Sequence, residues 1–485
     1  MNRREFIKQS AAVIGGTFLA GCSGKLLNGV NKMKKKPNIL LITTDQQYAK
    51  LMSCAGELNV KTPNLDKLAA SGVRFENAYC ANPVCVPSRY SLTTGYMPHV
   101  FGGLEHNMKK NKQDLPEIKD YIDTPAMGHI FRNAGYETVY GGKLHVEQFN
   151  NYKDESEETF GFKCLTGDTK KKLAKKCSEF IREKHDKPFV MWASFINPHD
   201  ICVGFPFMGY NDMDHPYTQK CHKKIKNLHD KYPDIPLPDM PENFLPSTDD
   251  PLWMKKFRKG KMKNIGLNSA FGSHAIDWPE KMWKEYRWAY RRYMESVDKQ
   301  IGKVLDALKE SGLEEDTIVI FTSDHGDHDG AHGLTMKRSF YEESANIPLI
   351  ISYKNHINPG VLDKSSLINN GIDMIPTMCD LAGIETPEKL KGKSFNPLSN
   401  EINEFVVSET VGGRMLRTPQ YKYNIYCVDG ISEEQLFDME KDRGEMKNLA
   451  KSEKHKNVLL DHRAKLKKWA KEHQDSKGLI YLQKI

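Results

Sequence analysis

The sequence predicts an α/β fold: a large mixed, mostly parallel sheet sandwiched by helices, with a smaller C-terminal α+β subdomain. Three observations predict it. Short apolar runs alternate with amphipathic helical patterns along most of the 485 residues. Two of those runs end in aspartate, as strands of an open α/β sheet do where they deliver side chains to a ligand edge. Past about Asn400 the runs shorten and the alternation with helices stops.

The elements follow in chain order. Asn38 to Thr43 reads as a buried strand. Thr62-Pro63 opens a helix, with Thr62 as N-cap and Pro63 in the first turn, and the helix ends near Gly72. Another helical stretch starts at Cys85. Met127 to Asn133 reads as a helix and Tyr136 to Tyr140 as a strand. Lys170 to Lys184 is a strongly amphipathic helix, followed by the strand Phe189 to Phe195. A long helix spans about Glu280 to Ser311, before strands at Thr317 to Thr322 and Pro348 to Tyr353. In the C-terminal part, Val406-Val407 and Tyr421 to Cys427 read as antiparallel strands and Lys454 to Glu472 as a terminal helix.

This gives a catalytic-size domain over residues 37–400 and a subdomain over 401–485. Within the first, residues 201–280 lose periodicity and read as a substrate-side insertion. Its Trp253, Phe257 and Trp278, with Trp283 just beyond, are either sugar-stacking platforms or packing of the insertion onto the body.

Residues 1–21 read as an export signal: a basic start at Arg3, Arg4 and Lys8, then an apolar run from Ala11 to Gly21. Arg3 to Ile7 resembles a twin-arginine pattern, and Leu19-Ala20-Gly21-Cys22 a lipobox with Cys22 as the lipidated residue. The expectation is an exported bacterial lipoprotein of the periplasm or cell-envelope membrane, touching membrane only through a lipid anchor. Net charge is +8, which suits an acidic ligand. The basic clusters lack interleaved aromatics, so no nucleic-acid partner is expected. No C-x-x-C pair occurs among the ten cysteines, which argues against a zinc ribbon, and most of them read as buried thiols.

The two strands that end in aspartate deliver Asp45 and Asp324 to one sheet edge. Carboxylates brought together repel unless a cation sits between them, and carboxylate and amide oxygens suit Ca²⁺ or Mg²⁺. Cys85-Val86-Pro87-Ser88-Arg89, with Thr94-Gly95 beyond it, sits at a helix start, where backbone N–H groups favour negative charge.

That motif resembles the signature of the type I sulfatases of the alkaline phosphatase-like superfamily. Further matches follow in order: Asp45-Gln46, Gly142-Lys143-Leu144-His145, Asn197-Pro198-His199-Asp200, Asp324-His325-Gly326 and Gly333 to Lys337. Gln46 stands where relatives have a second acid, as in the choline sulfatase and phosphonate monoesterase branch. His325 stands where many have Asn, and Leu144 replaces Trp.

The resemblance implies that a maturase oxidises Cys85 to formylglycine (3-oxoalanine), whose hydrate attacks the sulfur of a sulfate ester. It implies a divalent cation, Ca²⁺ or alternatively Mg²⁺, on Asp45, Gln46, residue 85, Asp324 and His325. Arg89 would hold the aldehyde hydrate. Lys143 and Lys337 would neutralise sulfate oxygens, His199 or Lys337 would protonate the leaving alcohol, and His145 would deprotonate the second diol hydroxyl. Asn107 and His332 are candidate sugar contacts. His328 and Asp329 either line the substrate side or stabilise their loop. The expected activity is hydrolysis of sulfate esters, on a sulfated carbohydrate or polysaccharide. The alternatives are a phosphonate monoester or phosphodiester hydrolase on the same scaffold, and a lipid-anchored sulfoglycan-binding protein with an unconverted cysteine.

Overall fold

A computed structural model describes residues 36–102, 122–144, 159–204, 216–259, 274–399 and 402–485. Residues 1–22, read above as an export signal ending at Cys22, and also Asn107 and His145, lie outside the described residues.

The larger sheet has eight strands: β1 (Asn38–Asp45), β2 (Val73–Tyr79), β3 (Glu137–Gly142), β4 (Lys163–Thr166), β5 (Phe189–Pro198), β6 (Thr317–Ser323), β7 (Leu349–Tyr353) and β8 (Val361–Asn369). Their order is β4-β3-β5-β1-β6-β7-β2-β8. β7 runs antiparallel to both neighbours, and the other strands share one direction. The mixed, mostly parallel sheet expected from the sequence is therefore present.

β1 and β6 are buried at every position because helices cover both faces. Ile39 and Leu41 of β1 and Ile318 and Ile320 of β6 face one core. That core includes helix α2 (Cys85–Thr94) and the helix Asn370–Ala382. Leu40, Ile42, Val319 and Phe321 face the other, packed on the helices Lys171–Arg182 and Glu280–Glu310.

The smaller sheet is antiparallel, ordered β12-β11-β10-β9, from β9 (Val406–Thr410), β10 (Gly413–Arg417), β11 (Tyr421–Val428) and β12 (Ile431–Asp438). The helices Lys456–Glu472 and Ser476–Leu482 close over it through Leu466, Trp469 and Tyr481. No described helix is long and apolar enough to cross a membrane.

Three local readings change. Thr62 sits at the N-cap position of helix α1 (Pro63–Ala70) as expected but makes no side-chain cap bond; its hydroxyl accepts from the Ser53 N–H and donates to Asp66 Oδ1. Trp253, Phe257 and Trp283 are each 1% exposed, so they pack the insertion onto the body and offer no sugar platform. Trp253 lies 5.1 Å from both the Phe257 and Tyr426 rings, and so ties the insertion to the smaller sheet. Strands β2 and β8, absent from the sequence reading, occupy the end of the large sheet, where Val361 and Leu362 are exposed and the apolar signal is diluted.

Candidate active site

Register brings the two aspartates together. Thr44 of β1 pairs with Ser323 of β6, so Asp45 and Asp324 leave adjacent strand ends side by side. Both are fully buried. Helix α2 docks its first turn on them: the Ser88 hydroxyl donates to the Asp324 carbonyl at 2.6 Å.

Arg89, four residues after Cys85, sits between the carboxylates. Its Nε donates to Asp324 Oδ2 at 2.8 Å, and its Nη2 to Asp45 Oδ2 at 3.0 Å. Its Nη1 donates to the Lys143 carbonyl and to Ser194 Oγ. Four donors of the guanidinium fork are thereby committed to the scaffold. Arg89 clamps the two strand ends with these four donors, and its fifth is uncommitted among these bonds.

Lys143 arrives from the end of β3. Gly142 there has φ +100°, and a Cβ on it would meet the Ser194 carbonyl oxygen at 2.0 Å, so only glycine lets β3 approach β5 this closely. The Lys143 ammonium then lies 2.5 Å from Asp45 Oδ2. His199 follows the cis Asn197–Pro198 bond at the end of β5; its N–H donates to the Asp45 carbonyl and its Nε2 lies 3.9 Å from Asp45 Oδ1. Burial and the nearby Lys143 push the His199 pKa down to about 4, so its ring is neutral at neutral pH. Burial and the Cys85 sulfur push the Asp45 carboxyl up, but Lys143, His199 and Arg89 outweigh them and hold its pKa well below the usual range.

His325 and Lys337 come from the loop after β6. Gly326 starts it, and a Cβ there would meet the Glu343 carbonyl oxygen at 2.0 Å. Asp329, His332, Met336 and Arg338 all have positive φ, a conformation costly for side-chain-bearing residues and concentrated at functional sites. Two of them flank Lys337 and turn its ammonium inward, 3.0 Å from Cys85 Sγ and 3.0 Å from Gln46 Oε1. His325 Nδ1 lies 2.9 Å from the Gly326 carbonyl, an acceptor only, so Nδ1 carries the proton. Nε2 is left facing Cys85 Sγ at 3.0 Å.

One ligand atom from each of Asp45, Cys85, Asp324 and His325 lies within 4.8 Å of the others. The cationic side chains take the Oδ2 atoms of both aspartates, and His325 Nε2 lies 3.9 Å from Asp45 Oδ1 and 3.7 Å from Asp324 Oδ1. Two buried carboxylates, the His325 Nε2 and residue 85 are donor types that fit a divalent cation. Gln46 does not join them. Its Oε1 accepts from Lys337 and its Nε2 donates to Asp327 Oδ2 at 2.6 Å, so its expected place as a neutral ligand is corrected.

Other expectations resolve as well. His332 is fully buried and stacks on Tyr341 at 3.6 Å, which removes it as a sugar contact. His328 bonds Thr335 and Ser339, and Asp329 pairs with Arg287 and Arg291, so both hold the loop. Ser88, Ser194, Asp327 and Tyr286 are site residues that the sequence reading missed. Ser88 had a signal in its place within the Cys85 motif, and Asp327 in the acidic and histidine-rich run after Asp324.

The sulfatase family model matches residues 37–384, and the model for the N-sulphoglucosamine sulphohydrolase C-terminal region matches residues 330–472. A Δ4,5-hexuronate-2-O-sulfatase of Bacteroides thetaiotaomicron is 31% identical over 91% of this chain and 90% of its own length. Arylsulfatase K of Bos taurus is 29% identical over 90% of this chain and 84% of its own. Among solved structures, a 2-O GAG sulfatase superposes with TM-score 0.75 at 30% identity, covering 91% of this chain and 94% of that one. The fold, the ordered site and these likenesses agree: the chain belongs to the sulfatase family of the alkaline phosphatase-like superfamily and is a sulfuric ester hydrolase.

Proposed function

We propose that this protein removes sulfate from a sulfated glycan, specifically a uronic-acid-containing glycan of the glycosaminoglycan type, with Cys85 matured to formylglycine. The convergence of Asp45, Asp324, His325 and Cys85 beside Lys337 carries the chemistry. The uronate-2-O-sulfate preference is supported by the relatives at 30–31% identity. The formylglycine hydrate supplies a geminal diol as nucleophile; a divalent cation, Ca²⁺ or Mg²⁺, held by Asp45, Asp324, His325 and residue 85, supplies charge opposite a sulfate oxygen.

The chain's own residues do the rest. Arg89 keeps both carboxylates in place by a buried, bidentate clamp. The Lys143 and Lys337 ammonium groups neutralise sulfate oxygens as negative charge builds. Lys337 gives a proton to the ester oxygen, its N–H bond breaking and an O–H bond forming as the sulfur–oxygen bond opens. Neutral His199, on the same side of Asp45, would take the proton that the attacking hydroxyl loses as its oxygen bonds to sulfur.

Sulfate release from a panel of sulfated oligosaccharides, with an unsaturated uronate-2-O-sulfate among them, tests the reading against Cys85→Ala. Release by the native protein alone is expected, and equal release by both discards the mechanism. Faster turnover of a matched aryl phosphodiester than of the aryl sulfate would replace it with the phosphonate reading. Intact-mass measurement of protein from a host with the maturase checks conversion at Cys85. Glycan binding with an unconverted thiol and no turnover would identify a binding protein instead. Export and lipidation at Cys22 are proposed from residues 1–22; Cys22→Ala should release the protein from the membrane fraction.

A further inference from the structure

The strand-end charges do not explain how Lys337 is aimed. Its ammonium is a donor only, and the Gln46 amide lies against it with Oε1 at 3.0 Å. An amide is nearly symmetric in shape, so something must decide which end faces the lysine. On its other end Gln46 Nε2 meets Asp327 Oδ2 at 2.6 Å. Cys202 Sγ also touches the amide, at 3.1 Å from Nε2 and 3.2 Å from Oε1. A thiol contacts either end and expresses no preference.

Asp327 is fully buried and itself fixed: the Tyr286 hydroxyl lies 2.8 and 2.7 Å from its two oxygens, and the Asp329 N–H donates at 2.8 Å. The Gln46 backbone is equally constrained. It has φ +68°, its N–H donates to Asp324 Oδ1, and its carbonyl accepts from the Tyr290 hydroxyl.

We propose that Asp327 is a positioning residue for the hydrolysis: it sets the polarity of the Gln46 amide, so that an oxygen faces Lys337 and holds the ammonium on residue 85. The inference rests on the reading of Lys337 as donor to the leaving oxygen. With a carboxylate at one end and an ammonium at the other, one amide orientation satisfies both and the reverse satisfies neither. Loss of the carboxylate leaves the amide free to turn its N–H groups toward Lys337 and drive it off line.

The test is a swap. Asp327→Asn should lower kcat on the sulfated saccharide by about 10- to 100-fold, the scale seen when outer-shell partners of a site are removed, with KM little changed. Gln46→Glu, which sets two carboxylates face to face, should lower it similarly. The double variant Asp327→Asn/Gln46→Glu restores one donor facing one acceptor and an oxygen facing Lys337, so its kcat should exceed that of either single variant. Tyr286→Phe, which leaves the carboxylate in place, should give a smaller loss of the same kind, and melting temperatures check that each variant folds.

Lys337→Ala separates the two levels. It and Asp327→Asn should both slow the saccharide ester more than 4-methylumbelliferyl sulfate, whose leaving group needs no proton. Absence of that bias in Lys337→Ala overturns the proton-donor reading, while the swap still decides whether Asp327 orients Gln46. A double variant no better than the worse single, or a bias in Lys337→Ala that Asp327→Asn lacks, overturns the positioning role.

Discussion

Among the described residues, two clusters have the donor types of a metal site, and they differ in how their charges are engaged. One is Asp45, Cys85, Asp324 and His325; the other is His99, Glu409 and Asp475, where the Pro98–Phe101 turn meets the smaller sheet. In the second, Arg414 grips both Asp475 oxygens at 2.6 and 2.7 Å and lies 3.4 Å from Glu409. His99 uses both ring nitrogens, on Glu409 at 3.0 Å and the His473 carbonyl at 2.8 Å. Its charges close on themselves. In the first, Arg89 and Lys143 occupy only one oxygen of each carboxylate, and the remaining atoms point at a common centre. Residue type proposes a site in both clusters; in the first, Asp324 Oδ1 accepts from the Gln46 and His325 backbone N–H groups, and the cationic side chains stay on the Oδ2 atoms.

The contrast can be broken at either end. The largest effect is expected from Cys85→Ser, which should lower sulfate release by about a thousandfold or more, as loss of a nucleophile does, with the melting temperature nearly unchanged. Arg414→Met should do the opposite. It strands two buried carboxylates and should destabilise the fold by about 3–5 kcal/mol in denaturant unfolding, without changing the cation dependence of activity.

Cation binding sharpens the comparison further. Adding Ca²⁺ to chelator-treated protein should stabilise it, by about 2.7 kcal/mol at a hundredfold excess over the dissociation constant. Asp324→Asn should abolish that shift in a thermal melt, whereas Glu409→Gln should leave it intact. A shift lost in Glu409→Gln and kept in Asp324→Asn would reverse the assignment.

The smallest effect concerns pH. Burial opposes charge on His99, but the Glu409 hydrogen bond and Asp475 raise its pKa above the ordinary 6.5. A raised imidazole pKa stabilises the fold fully below pH 6.5, and that contribution is lost as pH rises through the folded value. The melting temperature should therefore fall between neutral and mildly alkaline pH. His99→Asn should flatten that slope and lose about 1 kcal/mol at pH 6, the worth of one charge-assisted hydrogen bond.

The strand ends were readable because β1 and β6 are apolar on both faces and stop at aspartate, a local pattern. The Cys85 motif was readable for the same reason: its parts lie on one turn of α2. What escaped was long-range pairing. Gln46 owes its orientation to Asp327, 281 positions away, and nothing near either residue announces the contact. Arg89 was placed on the right helix face, but its grip on both carboxylates depends on how α2 docks. Aromatic residues at 253, 257 and 283 could not be sorted between glycan and core, because composition is identical in the two settings and only burial differs.

Gly142 and Gly326 carry a consequence for mutational scanning. Neither position has a side chain to contact a substrate, yet at each an added methyl would collide with a carbonyl oxygen across the active-site floor. A saturation library would score both as intolerant as Cys85. Ranking positions by intolerance alone would thus mix spacers with reagents, and only a rescue or leaving-group readout would tell them apart.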